Sequence, residues 1–326
     1  MSHPLLYVEN LKKYFEVKRG IFGGRRIYVK AVDGVSLTLA RGETISLVGE
    51  SGCGKTTLGK TILRLYEPTD GKILFDGKDI THLGLKELKW YRRETGLIQQ
   101  DPFGALPPFM TVKRILEEPL LIHGFKNREE REERIHKALE QVRLTPIEDF
   151  INKYPHMLSG GQQQRLVIAR SIILEPKLIV ADEPVSMLDA SVRVEILKLL
   201  QDLQKRYNLS VIYITHDIST TRYFSERIYI MYAAHIVEGA DIREILHNPM
   251  HPYTKALLNV IPDPDPTNRF ILKEVPAGEP PNLINPPTGC RFNPRCPNFM
   301  RGVCDVREPP LIEVNKGHYV KCWLYG

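Results

Sequence analysis

Thr44-Ile45-Ser46-Leu47-Val48-Gly49-Glu50-Ser51-Gly52-Cys53-Gly54-Lys55-Thr56 decides how this chain is read. The first five residues have the aliphatic and β-branched character of a buried strand, and Gly49 to Thr56 fits GxxxxGK[ST]. In such a loop the glycines let backbone N–H groups close around phosphate oxygens, Lys55 reaches the β and γ phosphates, and Thr56 binds Mg²⁺. The helix that begins there adds the positive end of its dipole to the same place. Leu58, Ile62 and Leu65 recur at i, i+4 and i+7, which predicts a half-buried helix running on to the stop signal Pro68-Thr69-Asp70-Gly71. Cys53 stands at a variable position of the motif and reads as a small filler.

Outward from the loop, Asp76-Gly77 follows Ile73-Leu74-Phe75 and precedes a second extended run, the pattern of a hairpin turn. From about 103 to 165 the pattern becomes helical. Ile135, Ala138, Leu139 and Val142 form one apolar face on the charged segment Asn127 to Arg143, whose charges read as a solvated face. Strands return at Leu178-Ile179-Val180-Ala181 and at Ser210 to Ile214, with a helix around Val192 to Leu203 between them, the order of a parallel α/β layer. The first runs into Asp182-Glu183, two acids at the carboxyl end of a buried strand, where α/β sheets bind ligands. Asp182 suits the Mg²⁺ shell and Glu183 the polarisation of an attacking water. The second ends at Thr215-His216-Asp217, setting His216 where it can meet a γ phosphate. Leu158-Ser159-Gly160-Gly161-Gln162 precedes a helix, Gln162 to Ile173, and makes a second anion site. One nucleotide cannot easily use both sites of one subunit. The pattern therefore predicts a head-to-tail dimer with ATP between one phosphate loop and the other subunit's Ser-Gly-Gly segment.

The chain has 326 residues, 42% of them apolar, with 45 Lys+Arg against 39 Asp+Glu for a net +6. That composition excludes disorder, collagen and a disulfide scaffold. No run approaches the ~20 apolar residues of a membrane span, and Met1 to Tyr7 lacks the features of a signal peptide, so retention in the cytoplasm is expected. Lys18 to Arg26 is a basic excursion that reads as a solvated hairpin, with contact to anionic lipid as the alternative. Beyond about residue 240 the chain becomes irregular, with 14 of its 24 prolines between Pro249 and Pro310.

As an ordered set, these motifs resemble the ATP-binding cassette family. Gly49-Glu50-Ser51-Gly52-Cys53-Gly54-Lys55-Thr56-Thr57 looks like its Walker A, Leu158 to Gln162 its signature, Leu178 to Pro184 its Walker B and His216 its switch histidine. Gln100 matches the Q-loop glutamine, Asp189 the D-loop, and Phe15 the adenine-stacking aromatic, with Tyr14 as the alternative. The resemblance implies a P-loop NTPase cassette of α/β class over 1–240, with a helical subdomain at about 103–165 and an extension over 241–326. It implies ATP and Mg²⁺ as cofactors, the metal being held by Thr56, Gln100 and Asp182. The nucleotide would be contacted by the Walker A residues, Phe15, Ser159, Gly160, Gly161, Gln162 and Asp189, with Glu183, His216 and Gln100 in the catalytic set.

Lys30 to Ser36 and His251-Pro252-Tyr253-Thr254-Lys255-Ala256-Leu257-Leu258 are similar to the ATPase subunits of dipeptide and oligopeptide importers. The departure is Ala105-Leu106-Pro107-Pro108, where that group usually has Ser-Leu-Asn-Pro. The resemblance implies a peripheral protein on the cytoplasmic face of the cell membrane. Its partners would be two transmembrane permease subunits, a second related ATPase subunit and an extracytoplasmic solute-binding protein. Oligosaccharide or nickel is the alternative cargo, and a soluble cassette ATPase acting on nucleic acid or ribosomes is the alternative class; the preferred reading has no nucleic-acid partner.

Cys290, Cys296, Cys304 and Cys322 are spaced Cx5Cx7Cx17C. Four thiolates suit a [4Fe–4S] cluster or a structural zinc, with unmetallated thiols as the third reading and His318 as a substitute ligand for zinc. The resemblance to the cysteine tail of peptide-importer ATPases implies the cluster.

Overall fold

The computed structural model of the chain describes residues 3–17, 26–260 and 278–326, so most of the basic excursion, 18–25, lies outside the described residues. From the N-terminus come β1 (Leu6–Val17), β2 (Ile27–Leu39), β3 (Thr44–Val48), α1 (Lys55–Ile62), β4 (Asp70–Phe75), β5 (Lys78–Asp79), α2 (Lys89–Arg93) and β6 (Thr95–Ile98). Then follow α3 (Pro102–Ala105), α4 (Val112–Ile122), α5 (Arg128–Gln141), α6 (Gly160–Ile172), β7 (Leu178–Asp182), α7 (Ala190–Tyr207), β8 (Ser210–Thr215) and α8 (Ile218–Thr221). The last part holds β9 (Arg227–Tyr232), β10 (His235–Asp241), α9 (Ile242–His247), α10 (Pro252–Val260), β11 (Ile312–Asn315) and β12 (His318–Val320). The chain divides into two compact units, one of Met1–Leu39, Thr44–His82 and Ile214–Gly326, the other of Ala40–Glu43 and Leu83–Tyr213.

In the first unit, β1 pairs antiparallel with both β2 and β4 in a sheet of order β2-β1-β4-β5. The predicted hairpin is present: β4 and β5 pair through Leu74↔Asp79 and Phe75↔Lys78, and Asp76 and Gly77 take φ of 51° and 75°, the two positive values a two-residue turn needs. Every residue of β3 is buried, and it pairs in parallel with β9 from Ile45↔Arg227 to Val48↔Ile230. A strand covered on both faces is rich in aliphatic residues, here Ile45, Leu47 and Val48, and its buried Ser46 hydroxyl is hydrogen-bonded to that of Ser225. The helix after the loop is shorter than its periodicity predicts. It ends at Ile62, Arg64 turns to φ 55°, and Leu65 is left outside and 50% exposed, so the third position of that apolar series is not a helical one.

The C-terminal tail is irregular over much of 278–311 and then adds two strands, β12 pairing with β10 at Glu238↔Val320 and β11 pairing with β12. Its anchor is Glu238, which has no exposed surface. That carboxyl accepts from the Met250 and His251 N–H groups at 2.7 and 2.9 Å and pairs with His318 Nε2 at 2.8 Å. Around it Val48, Ile230, Tyr232, Tyr253 and Phe292 form an apolar cluster that joins tail to sheet. The Nε2 of His318 is thus committed to docking the tail.

In the second unit β6 and β7 pair in parallel, from Thr95↔Leu178 to Ile98↔Ala181. Ile135, Ala138 and Leu139 are the buried face of α5 and Val142 caps its end, again as predicted. Asn127 supplies the N-cap, accepting from the Glu129 N–H at 2.8 Å. Among the described residues no helix is long and apolar enough to cross a membrane.

Glu238→Leu leaves the His318 ring nitrogen and two backbone N–H groups buried without their acceptor, and is expected to destabilise the protein by about 3 kcal/mol or more. Urea denaturation followed by tryptophan fluorescence checks this; an unchanged midpoint would show that the tail is held elsewhere. Burial also pushes the His251 imidazole down to about 3, and its Nδ1 accepts from the Tyr253 N–H at 3.0 Å. The folded chain therefore refuses a proton that the unfolded chain takes up near 6.5. Its contribution to stability is complete above that pH and falls by about 1.4 kcal/mol per unit as the pH drops towards the folded value. Stability measured between pH 7 and 4 is expected to show that slope, and His251→Asn to flatten it.

Candidate functional site

The loop between β3 and α1 is shaped by backbone that other residues cannot adopt. Gly54, the N-cap of α1, sits at φ 108°, and a Cβ there would lie 2.0 Å from the Ala31 carbonyl oxygen. Lys55 is only 5% exposed and curls back over the loop, donating to the Gly49 and Glu50 carbonyl oxygens at 2.7 and 2.8 Å. Ser51, Gly52 and Thr56 are exposed, Gly49 and Cys53 are buried, and Gly54 and Thr57 lie between. Burial pushes the Cys53 thiol up against the opposing charge of Lys55, and its carbonyl accepts from the Ala234 N–H at 2.8 Å. The thiol is a neutral filler.

In the same unit, Phe15 is half-buried on β1, meeting Tyr66 edge-on at 5.3 Å with the Lys13 ammonium 4.9 Å from its ring centre. Tyr14 is committed through its hydroxyl, which donates to Asp33, and burial followed by that bond raises its pKa. Burial opposes ionisation of Asp33, but hydrogen bonds from His235 and Tyr14 and the Arg291 charge hold its carboxyl far below the usual range. His216 is exposed just after β8, next to Asp217, which caps α8.

The second unit carries the acids and the Ser-Gly-Gly segment. Asp182 is the buried last residue of β7. Glu183 follows at φ 45°, an uncommon backbone for a residue with a side chain and a mark of a constrained site. Its carbonyl accepts from the Ser186 N–H and hydroxyl at 3.2 and 3.1 Å, and its Oε2 accepts from Gln100 Nε2 at 3.1 Å. Two residues 83 positions apart, predicted for one catalytic set, thus touch. Ser159 is the N-cap of α6 in a capping box: its hydroxyl accepts from the Gln162 N–H at 3.3 Å, and Gln162 Oε1 accepts from the Ser159 N–H at 3.0 Å. Gly160 and Gly161 are the first helical residues rather than a lead-in, because the cap falls at Ser159 and not at Gln162. Asp189 is the exposed N-cap of α7.

The tail cysteines are free. The Cys290 N–H donates to the Cys304 carbonyl at 2.8 Å, and Cys290 and Cys296 pack against the apolar cluster around Phe292. Burial, with the nearby sulfurs of Cys322, Cys304 and Cys296, pushes the Cys290 thiol up to about 11; burial also raises Cys296 and Cys322. Among the described residues no group of three or more His, Cys, Asp or Glu side chains is placed to hold a metal ion. No site for a single metal ion such as zinc is therefore formed among the described residues, and none is shown for the predicted cluster.

Residues 32–186 match the ABC transporter family, and residues 237–304 match the oligopeptide/dipeptide transporter C-terminal region. The chain is 46% identical over 322 residues to a putative peptide import ATP-binding protein of Brucella ovis, covering 98% of this chain and 97% of that one. The chain belongs to the ABC transporter family of ATPases. To the oligopeptide transport ATP-binding protein AppF of Bacillus subtilis it is 42% identical, over 100% of this chain and 98% of that one. To OppF of Salmonella typhimurium, also named an oligopeptide transport ATP-binding protein, it is 44% identical, over 98% and 95%. Among solved structures, a dimeric post-hydrolysis state of the ATP-binding cassette MJ0796 bound to ADP and phosphate superimposes with TM-score 0.63 at 33% identity, covering 73% of this chain and 99% of that one. A cassette of the cbiONQ transporter complex of Clostridium perfringens gives 0.64 at 28%, covering 76% and 92%.

Sequence reasoning missed the residues that hold the phosphate loop from outside. Glu50 stands at a variable position of the motif, and Arg295 and Tyr253 lie 245 and 203 positions away. The available signal is chemical: an Arg and a Tyr inside an apolar tail must find polar partners.

Proposed function

We propose that this ATPase is the motor subunit of a membrane importer for di- or oligopeptides, peripheral on the cytoplasmic face of the membrane. The observation that carries the reading is the presence, on one chain, of the transporter cassette and the oligopeptide/dipeptide C-terminal region, with relatives similar over their whole length. In functional terms residues 1–240 are the cassette, with the helical subdomain at about 103–165, and 241–326 the extension. Its partners are two permeases, a second related ATPase subunit and an extracytoplasmic solute-binding protein. ATP lies between the phosphate loop of one ATPase subunit and the Ser159 segment of the other.

Within that site Gly49 to Thr57 wrap the phosphates, Lys55 turns from its own loop's carbonyls to the β and γ oxygens, and Phe15 stacks on adenine. Support comes from the exposed mouth at Ser51, Gly52 and Thr56 and from the half-buried ring of Phe15 on β1. Mg²⁺, when bound by Thr56, Gln100 and Asp182, neutralises charge on the phosphates. Glu183 orients and deprotonates the attacking water, Gln100 holds its carboxyl, and His216 stabilises the γ phosphate. Asp189 and the Ser159-Gly160-Gly161-Gln162 turn complete the partner's side.

For the tail we infer a [4Fe–4S] cluster in preference to zinc. Each iron of a cluster takes one thiolate, so four sulfurs need not converge on a point as ligands of a single ion must. The support is the Cx5Cx7Cx17C spacing, the Cys290 N–H bond to the Cys304 carbonyl at 2.8 Å, and the sulfurs of Cys322, Cys304 and Cys296 that add to burial in raising the Cys290 thiol.

Glu183→Gln is expected to bind MgATP as the native protein does while hydrolysis falls by about 10²-fold or more. Captured with ATP from native membranes, it should bring down permeases, a second ATPase and a peptide-loaded binding protein. A sugar-loaded binding protein would replace the cargo, and recovery with ribosomes or nucleic acid would overturn transport. Iron and acid-labile sulfide in anaerobically purified protein are expected at cluster stoichiometry; their absence would end the cluster assignment.

A further inference from the structure

Glu50 has three polar groups, and each is taken by a different residue. Its carboxylate receives Arg295 Nη1 at 3.2 and 3.0 Å, its N–H donates to the Tyr253 hydroxyl at 3.0 Å, and its carbonyl receives the Lys55 ammonium at 2.8 Å. The carbonyl also accepts from the Cys53 N–H at 3.4 Å, and two of the four partners, Arg295 and Tyr253, come from the C-terminal extension. Neither moves freely. The Arg295 side chain is 8% exposed and lies across the Tyr232 ring, 5.9 Å from its centre, while Tyr253 is 1% exposed and packs against Tyr232 and Phe292 at 4.5 and 5.5 Å. Arg291, four residues before Arg295, pairs with Asp33 and donates to the Ala233 carbonyl at 2.5 Å; the next residue's N–H, that of Ala234, donates to Cys53 in the loop. The extension thus holds the phosphate loop directly at Glu50 and, by way of Ala233 and Ala234, indirectly at Cys53.

From this geometry we propose that Arg295 is a positioning residue for nucleotide binding, acting through Glu50, with Tyr253 as its companion. The chain of cause is short. Arg295 and Tyr253 fix residue 50, the Glu50 carbonyl fixes the Lys55 ammonium, and Lys55 is the group that meets the phosphates. Arg295 also cancels the Glu50 charge beside an anion site, where an unpaired carboxylate would repel the incoming nucleotide. The inference rests on the proposal that this loop receives ATP, and adds that the extension sets its affinity.

The test uses the full-length protein and MgATP, reading Kd by titration and the KM and kcat of hydrolysis separately. Arg295→Ala is expected to raise Kd and KM about tenfold with kcat changed less, and Arg295→Lys to recover part of the loss because one charged donor survives. Tyr253→Phe removes a single hydroxyl from an otherwise intact core and is expected to weaken binding severalfold; it keeps the question answerable if Arg295→Ala folds poorly. The decisive comparison is the double variant. If Arg295 works through Glu50, Arg295→Ala adds no further loss of affinity in a Glu50→Ala background. Independent, multiplying effects would overturn the proposal, as would native affinity in both Arg295→Ala and Tyr253→Phe. Native protein that binds no ATP would sink the functional reading itself, and this inference with it.

Discussion

Backbone N–H groups that are to receive phosphate cannot also be spent on holding their own loop in shape. The turn between β3 and α1 spends the Glu50 N–H on Tyr253 and the Cys53 N–H on the Glu50 carbonyl, and draws the rest of its support from elsewhere. Gly54 permits the left-handed bend at φ 108°, and the Ala31 carbonyl occupies the space a side chain would have taken. Lys55 bridges the Gly49 and Glu50 carbonyls, using acceptors and leaving donors alone. The remaining support comes from the Ala234 N–H, the Tyr253 hydroxyl and Arg295. The extension that carries Tyr253 and Arg295 is in turn held by the buried Glu238, whose three donors include His318 on β12.

What was legible in the sequence is local. A strand covered on both faces shows as Thr44 to Val48, a two-residue turn as Asp76-Gly77, and a helix face as Ile135, Ala138 and Leu139, because each depends on a period or a backbone angle that a few adjacent residues determine. Leu65 failed for the complementary reason. Arg64 enters the left-handed region and ends the helix, and nothing in the apolar spacing records where a helix stops. The contact of Gln100 with Glu183 and the grip of Arg295 on Glu50 span 83 and 245 positions, so no periodicity carries them. The cysteine spacing announced a gathering of thiols. It did not say whether the sulfurs converge, since that depends on how Cys290 and Cys296 pack against Phe292 and its neighbours.

The Arg295–Glu50 pair also has an electrostatic logic that a purely apolar contact would lack. A carboxylate beside an anion site is a poor choice in isolation: like charges about 4 Å apart repel by about 4 kcal/mol in a partly screened protein environment. Burying an arginine without a partner is poor as well, and Arg295 shows only 8% of its side chain to solvent. Together the two cancel, and burial of Arg295 is outweighed by the bond to Glu50, which holds its pKa above the ordinary value. A hydrophobic pair would cost less desolvation but would not fix direction. Here the guanidinium, held by Tyr232 and the fold of the cysteine loop, sets where the Glu50 side chain points. Because the Glu50 carbonyl is what Lys55 grasps, a constraint imposed on an acid at the rim is delivered to a cation at the centre. That explains why a segment some 240 residues away along the chain, with little core of its own, is built against this particular turn.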